Sequence, residues 1–142
     1  MENKRFKPRY DRYYIVTWIA CLAVVMMASA AAFFEPTVLF VLIPVDLLTL
    51  YFAISPLFGY VELRDGTVYV KLGFILDKEI PYQKIRGFDR KRSFYADSMT
   101  SLKTALDHLN IRYNRFDVIS VCVESDDELI AEIEARIENF AR

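Results

Sequence analysis

Residues 13 to 58 are apolar almost without interruption: Glu35-Pro36-Thr37 breaks the run near its middle, and Asp46 stands alone in the second half. A hydrocarbon core takes roughly 20 apolar residues per helical crossing, so this pattern predicts two membrane-length helices, 13–34 and 38–58, joined by a minimal turn. From Gly59 the period shortens to two. Val61 and Leu63 alternate with Tyr60, Glu62 and Arg64, and Val68, Val70 and Leu72 alternate with Thr67, Tyr69 and Lys71. Between them, Asp65-Gly66 is a tight-hairpin signal, because such turns need positive φ. Gly73 offers a further turn into an extended stretch over 74–80, Pro81 limits pairing at its end, and 83–92 resumes as strand. Leu109, Ile111 and Tyr113 alternate with Asn110, Arg112 and Asn114, and 116–123 reads as a last apolar strand. Six or seven short antiparallel strands are expected.

The chain closes on an amphipathic helix. Ser125 is its N-cap candidate, Glu128 completes a capping box, and Asp126 and Asp127 complement the positive end of the helix dipole. Leu129, Ile130, Ile133, Ile137 and Phe140 form one apolar stripe, with Glu132, Glu134 and Glu138 opposite. Helices that lie on membranes carry Lys and Arg on the polar face. An acidic face instead makes this stripe the cap over the open end or face of a β-barrel.

At 142 residues the chain has room for a helical anchor and one domain of modest size, parsed as a basic tail 1–12, a hairpin 13–58 and a soluble α+β domain 59–142. The formal net charge of −1 conceals an asymmetry, with Lys4, Arg5, Lys7, Arg9 and Arg12 before the first span and only Glu35 in the turn. The positive-inside bias puts the N-terminus in the cytoplasm, and the hairpin returns the chain there. A multi-pass protein of the cell membrane with both termini cytoplasmic is the expectation. A signal peptide is the competing reading of the first span, with Ala28-Ser29-Ala30 as its cleavage motif; the second span would still hold the domain on the same side. Cys21 and Cys122 have neither disulfide nor zinc spacing.

Two features carry candidate chemistry. Asp46 lies within a span, where a carboxylate costs roughly 2.5 to 3.5 kcal/mol. It is read either as an ion or proton site or as a residue bonded to hydroxyls such as Ser29 or Thr49, or facing another copy in an oligomer. Lys84, Arg86, Arg90, Lys91 and Arg92 form a basic cluster, and in an extended strand Arg86, Phe88, Arg90 and Arg92 share one face. Near a bilayer such a strip attracts anionic lipid by about 1 kcal/mol per charge. Specific headgroup recognition, nonspecific contact with the leaflet and a plain solvated edge, with Asp77, Glu79, Asp89 and Asp97 as neutralising partners, all remain open. His108, the one histidine, has no clustered ligands at metal spacing, and Asp107 points to the other face of its strand. With no phosphate-cradling glycine loop and no basic field for nucleic acid, no catalytic, cofactor or metal residue is assigned.

Hairpin strands followed by one C-terminal capping helix resemble the pleckstrin-homology (PH) fold. More specifically, Ile80-Pro81-Tyr82-Gln83-Lys84-Ile85 and Ala105-Leu106-Asp107-His108-Leu109-Asn110-Ile111-Arg112-Tyr113 resemble the two signature stretches of a bacterial PH-like family described as YyaB-like, over about 59–140. His108 stands where Arg is common in that family, and Val123-Glu124 where a Ser-Pro pair is common. Members often carry two N-terminal membrane helices. The resemblance implies a non-enzymatic scaffold or binding module of PH-like barrel or sandwich form. Its partners would be the lipid bilayer, anionic lipid headgroups or another membrane protein. The alternative is an accessory or pore-forming subunit, a homo-oligomer with Asp46 in its helix bundle.

Overall fold

The computed structural model describes residues 2–98 and 101–142. Helix α1 spans Arg12–Ala31 and passes through a 3-10 turn, Ala32–Phe34, into helix α2, Pro36–Ile54, which ends in a second 3-10 turn, Ser55–Phe58. Pro36 suits the first turn of α2, where no intrahelical N–H bond is needed, and the connection closes through Glu35 N–H on the carbonyl of Ala32 at 2.9 Å. Each helix with its 3-10 turn runs 23 residues, about 34 Å at the usual rise per residue, so both are long and apolar enough to cross a membrane. Their apolar side chains point outward. α1 has no buried residue and α2 only Ala53.

The rest of the chain is a sandwich of two open four-stranded sheets plus a helix. The first sheet orders β1 (Lys4–Phe6), β2 (Tyr60–Leu63), β3 (Thr67–Lys71) and β4 (Asp77–Pro81), all antiparallel. The second places β5 (Ile85–Arg92) beside β7 (Asp107–Tyr113), then β8 (Asp117–Val121), then the short β6 (Ser101–Leu102), which runs parallel to β8. The expected PH-like topology is present as a sandwich, and no closed barrel forms. Seven of the described strands, β2–β8, fall within 59–142, as expected, and β1 is added from the leading segment, too short to show an alternating pattern.

Strand β1 comes from the segment ahead of the helices. Phe6 lies opposite Val61 in the first sheet, Pro8 bridges to Val123, and Arg9 N–H reaches the carbonyl of Cys122 at 3.1 Å. Residues 4–9 therefore run from one sheet to the other. Read from its charge as a basic tail, the segment is bound along its length: Lys4 bonds Glu128 and Glu132 at 2.6 and 3.0 Å, Arg5 bonds Glu62 at 2.7 Å, and Arg136 donates to the carbonyl of Glu2 at 2.8 Å. Asp11 then fastens α1 to the sandwich. One carboxylate oxygen caps Tyr14 N–H and the other accepts Leu106 N–H, both at 2.8 Å. The chain thus enters and leaves the hairpin at the same end.

The core sits between the sheets, with Val61, Val68, Val70 and Ile80 on one side and Leu109, Ile111, Ile119 and Val121 on the other. Helix α3 (Asp126–Ala141) closes it with Leu129 and Ile133 fully buried, while Phe140 stacks on Tyr82. Ser125 is the N-cap, but its side chain makes no capping bond, and the Glu128 side chain that would complete the box is engaged by Lys4. The Asp65-Gly66 reversal needs no positive φ. Arg64 joins it in a longer connection closed by Arg64 N–H on Thr67 O at 2.9 Å. Positive φ appears instead at Gly73 and at Asn114, the latter in the β7–β8 turn, a conformation Asn tolerates better than most residues. The extended stretch expected over 74–80 becomes strand only at Asp77, with 74–76 forming a loop.

Two outcomes test this architecture. Phe6 is 6% exposed within the core cluster, so Phe6→Ala should destabilise the sandwich by about 3 kcal/mol in denaturant unfolding of the intact chain; a loss indistinguishable from zero would remove β1 from the fold. Glu62 is held below the usual carboxylate range chiefly by the Arg5 hydrogen bond, then by Arg64, against burial that opposes it. A depressed folded value means that its stabilising contribution is full above the unfolded value of 4.5 and fades as pH falls below it. The stability gap between the native chain and Glu62→Gln should therefore narrow on acidification through that range, and a gap that widens would contradict the pairing.

Candidate functional site

The basic cluster lies on β5, an edge strand whose outer main chain has no neighbour among the described strands. Ile85 faces Tyr113 and Gly87 faces Arg112, so Arg86 is the extra residue of a bulge. One inserted residue shifts the two-residue period by one. Arg86 consequently leaves the face that Phe88, Arg90 and Arg92 share, which corrects the expectation of a four-residue strip. Phe88 packs on the core.

Most of the cations are paired. Arg90 bonds Asp127 in the first turn of α3, Lys91 meets Asp97 at 2.8 Å, and Arg92 lies 3.8 Å from Asp107. The hydrogen bond to Asp97 raises Lys91, and its reciprocal holds Asp97 below the usual carboxylate range. Two of the other acids named as neutralising partners serve different cations: Asp89 pairs with Arg112 at 2.9 Å and Glu79 with Arg64 at 2.6 Å. Lys84 and Arg86 are exposed and have no ion pair among the described residues. They also stand at the far end. Arg92 lies opposite Asp107, next to the Leu106–Asp11 link to α1, and at about 3.3 Å per residue Arg86 is roughly 20 Å away along the strand. That exceeds twice the screening length of roughly 8 Å in physiological salt. The β7–β8 turn brings Arg112 and Arg115 around the same shallow depression as Arg86, with Arg115 stacked over Phe116. No linear spacing between 86 and 115 signals that grouping.

Beyond β5 the chain folds back over the outer face of the second sheet. Asp97 accepts from Lys91 and, at 2.7 Å, from Asn110, whose amide oxygen in turn accepts from Ser120 at 2.7 Å. His108 is buried there, with Nδ1 3.1 Å from the carbonyl of Leu106, while Asp107 is exposed. Among the described residues no group of three His, Cys, Asp or Glu is placed to hold a metal. Burial pushes the Cys122 thiol up, which disfavours the thiolate that reactive cysteines need.

Within the hairpin, Ser29 donates to Asp46 at 2.6 Å, whereas Thr49 bonds the carbonyl of Val45 in its own helix. Asp46 Oδ1 is buried and has no hydrogen-bond partner among the described residues. The structure therefore separates the two candidate features, with Asp46 between the helices and Lys84 and Arg86 at the opposite extreme of the sandwich.

Sequence reasoning passed over Asp11 and Arg136, and named Asp97 only as a neutralising acid. Asp11 precedes an apolar helix, the usual N-cap signature, so a local signal was present. Arg136 occupies the stripe position three after Ile133 and is buried, donating to the carbonyl of Arg64 at 3.2 Å. Asp97 was legible as a partner of the nearby basic run, but not as the residue that also holds Asn110. Replacing it tests its role as a latch. Asp97→Ala should speed amide hydrogen exchange over 93–98 and at Asn110, and unchanged exchange would show that the segment is held by other contacts.

Residues 59–137, more than half of the chain, match the family model described as Bacterial PH domain. No curated protein and no solved structure matches the chain.

Proposed function

The chain belongs to the bacterial PH domain family, whose members are generally non-catalytic modules that often bind lipids or proteins, and on that premise we propose a membrane-anchored binding module. In this reading α1 and α2 cross the cell membrane as a hairpin, both termini are cytoplasmic, and the sandwich works without catalysis at the inner face. One observation carries it. Strand β1, ahead of the hairpin, pairs with β2, which follows it, so a crossing hairpin leaves both flanks on one side. The Lys and Arg residues before α1 then select the cytoplasmic side. Anchoring raises the local concentration of the module at the bilayer, so weak contacts suffice.

The candidate contacts divide by distance from that bilayer. Arg90, Lys91 and Arg92 are nearer to the hairpin and are paired with acids, which favours a solvated or structural role over headgroup capture. Lys84 and Arg86, with Arg112 and Arg115, face away from the hairpin end and suit an acidic protein partner better than the lipid of the same membrane. The free edge of β5 offers main-chain groups for an added strand, although its charges also discourage indiscriminate pairing. The alternative, an oligomeric accessory or pore-forming subunit, draws on the unpartnered oxygen of Asp46.

Tags at the two ends of the intact chain, probed in sealed inside-out and right-side-out vesicles, should both be reached from the cytoplasmic side alone; opposite exposure would sink the topology. Affinity capture from native membranes should then recover a membrane-associated partner. The Asp46→Asn chain should keep that partner and its location, and loss of a conductance or of self-association in that variant would favour the subunit reading.

A further inference from the structure

Two loops of the sandwich carry large apolar side chains outward. Phe74, Ile75 and Leu76, between β3 and β4, are 47%, 77% and 62% exposed, and Phe94 and Tyr95, just beyond β5, are 74% and 66% exposed. Both loops lie against the domain end of the hairpin, one beside each helix. The Phe74 ring is 4.6 Å from that of Phe58 and 5.9 Å from that of Tyr51, at the end of α2. The Phe94 ring is 5.1 Å from that of Tyr13, at the start of α1.

Neither loop hangs free. Gly73 passes so close to Ser55 that a Cβ there would lie 1.8 Å from the hydroxyl oxygen, and that oxygen accepts Phe74 N–H at 3.3 Å. Across the hairpin, Lys103 donates to the carbonyls of Ser93 and Tyr95. Side chains of this kind held outward beside a lipid-length apolar surface continue that surface.

We propose that residues 74–76 and 94–95 are seated in the interfacial layer of the bilayer that the hairpin crosses, so that the sandwich rests on the membrane through two apolar feet as well as hanging from two helices. The proposal rests on the membrane-spanning reading above. Helices of about 34 Å exceed a hydrocarbon core of roughly 30 Å by only about 2 Å at each end. Tyr13 and Phe58 therefore fall at the border of the core, and rings packed on them share that level. Aromatic side chains favour this layer. A protein partner covering the same feet would have to enter lipid, which makes the bilayer itself the fitting occupant.

Trp18 is the single tryptophan and reports on α1. The intact chain is reconstituted into vesicles of phosphatidylcholine and phosphatidylglycerol containing lipids brominated near the headgroup end of the acyl chains, which quench tryptophan on contact. In the Trp18→Phe background, Ile75→Trp and Phe94→Trp should each be quenched to an extent comparable with native Trp18. Both should be quenched several-fold more than Phe116→Trp, in the exposed β7–β8 turn at the far end. These three positions are exposed, so the substitutions leave the core intact. If Trp18 is quenched while either loop position behaves like Phe116→Trp, the feet are disproved and the anchor stands. If native Trp18 is not quenched, both readings fall together.

Discussion

Everything in this molecule hangs on the pairing of residues 4–9 with both sheets. Three residues of β1 extend the first sheet, the next few bridge to Cys122 and Val123 just beyond β8 of the second, and Phe6 enters the core. The sandwich is thus built from two pieces of chain separated by the helices. Neither piece is complete: 59–142 alone lacks the seam between its sheets, and the leading segment alone has no partner for its backbone groups, which are costly to leave unpaired when buried.

The same constraint explains where the charges go. A leading segment rich in Lys and Arg looks designed for an anionic surface, yet Lys4, Arg5 and Arg9 face Glu128, Glu132, Glu62 and Asp126. These pairs hold β1 in register against α3 and β2. Exposed ion pairs contribute little each, whereas Glu62 is almost fully buried between two arginines, and loss of those arginines would strand its charge in poor solvent. On β5 the pattern repeats, with Arg90 and Arg92 turned toward Asp127 and Asp107. On this stretch Lys84 and Arg86 are left without an ion pair among the described residues, at the end of the sandwich far from the hairpin.

Most of the architecture was legible from periodicity. The two apolar helices, the alternation of β2 and β3, the strands around Ile111 and Ile119, and the apolar stripe of α3 are long enough patterns to read, and two signature stretches pointed to the PH family. Illegible parts share one property: their cause lies far away in sequence. β1 has no alternation of its own and is a strand only because β2 has a free edge. Arg86 leaves the strip because of a bulge whose partner residues are Arg112 and Tyr113. Ser125 sits at the helix start as read, but the Glu meant to complete its box is taken by Lys4. The candidate site was legible as a list of cations with Asp97 among their partners, and not as a surface, since pairing with Asp107 and Asp127 depends on the fold.

Insertion of the hairpin between β1 and β2 also sets an order of events. β1 leaves the ribosome first and must wait, unpaired, until both helices and then β2 have been made. A hairpin brings its two ends together, so once the helices are packed the closure costs little further chain entropy. In the proposed topology a chain whose helices entered the membrane wrongly would leave β1 on one side and its sheet on the other, with Phe6 and the core edge uncovered. In that topology, completion of the sandwich would depend on the hairpin having inserted with both flanks on one side.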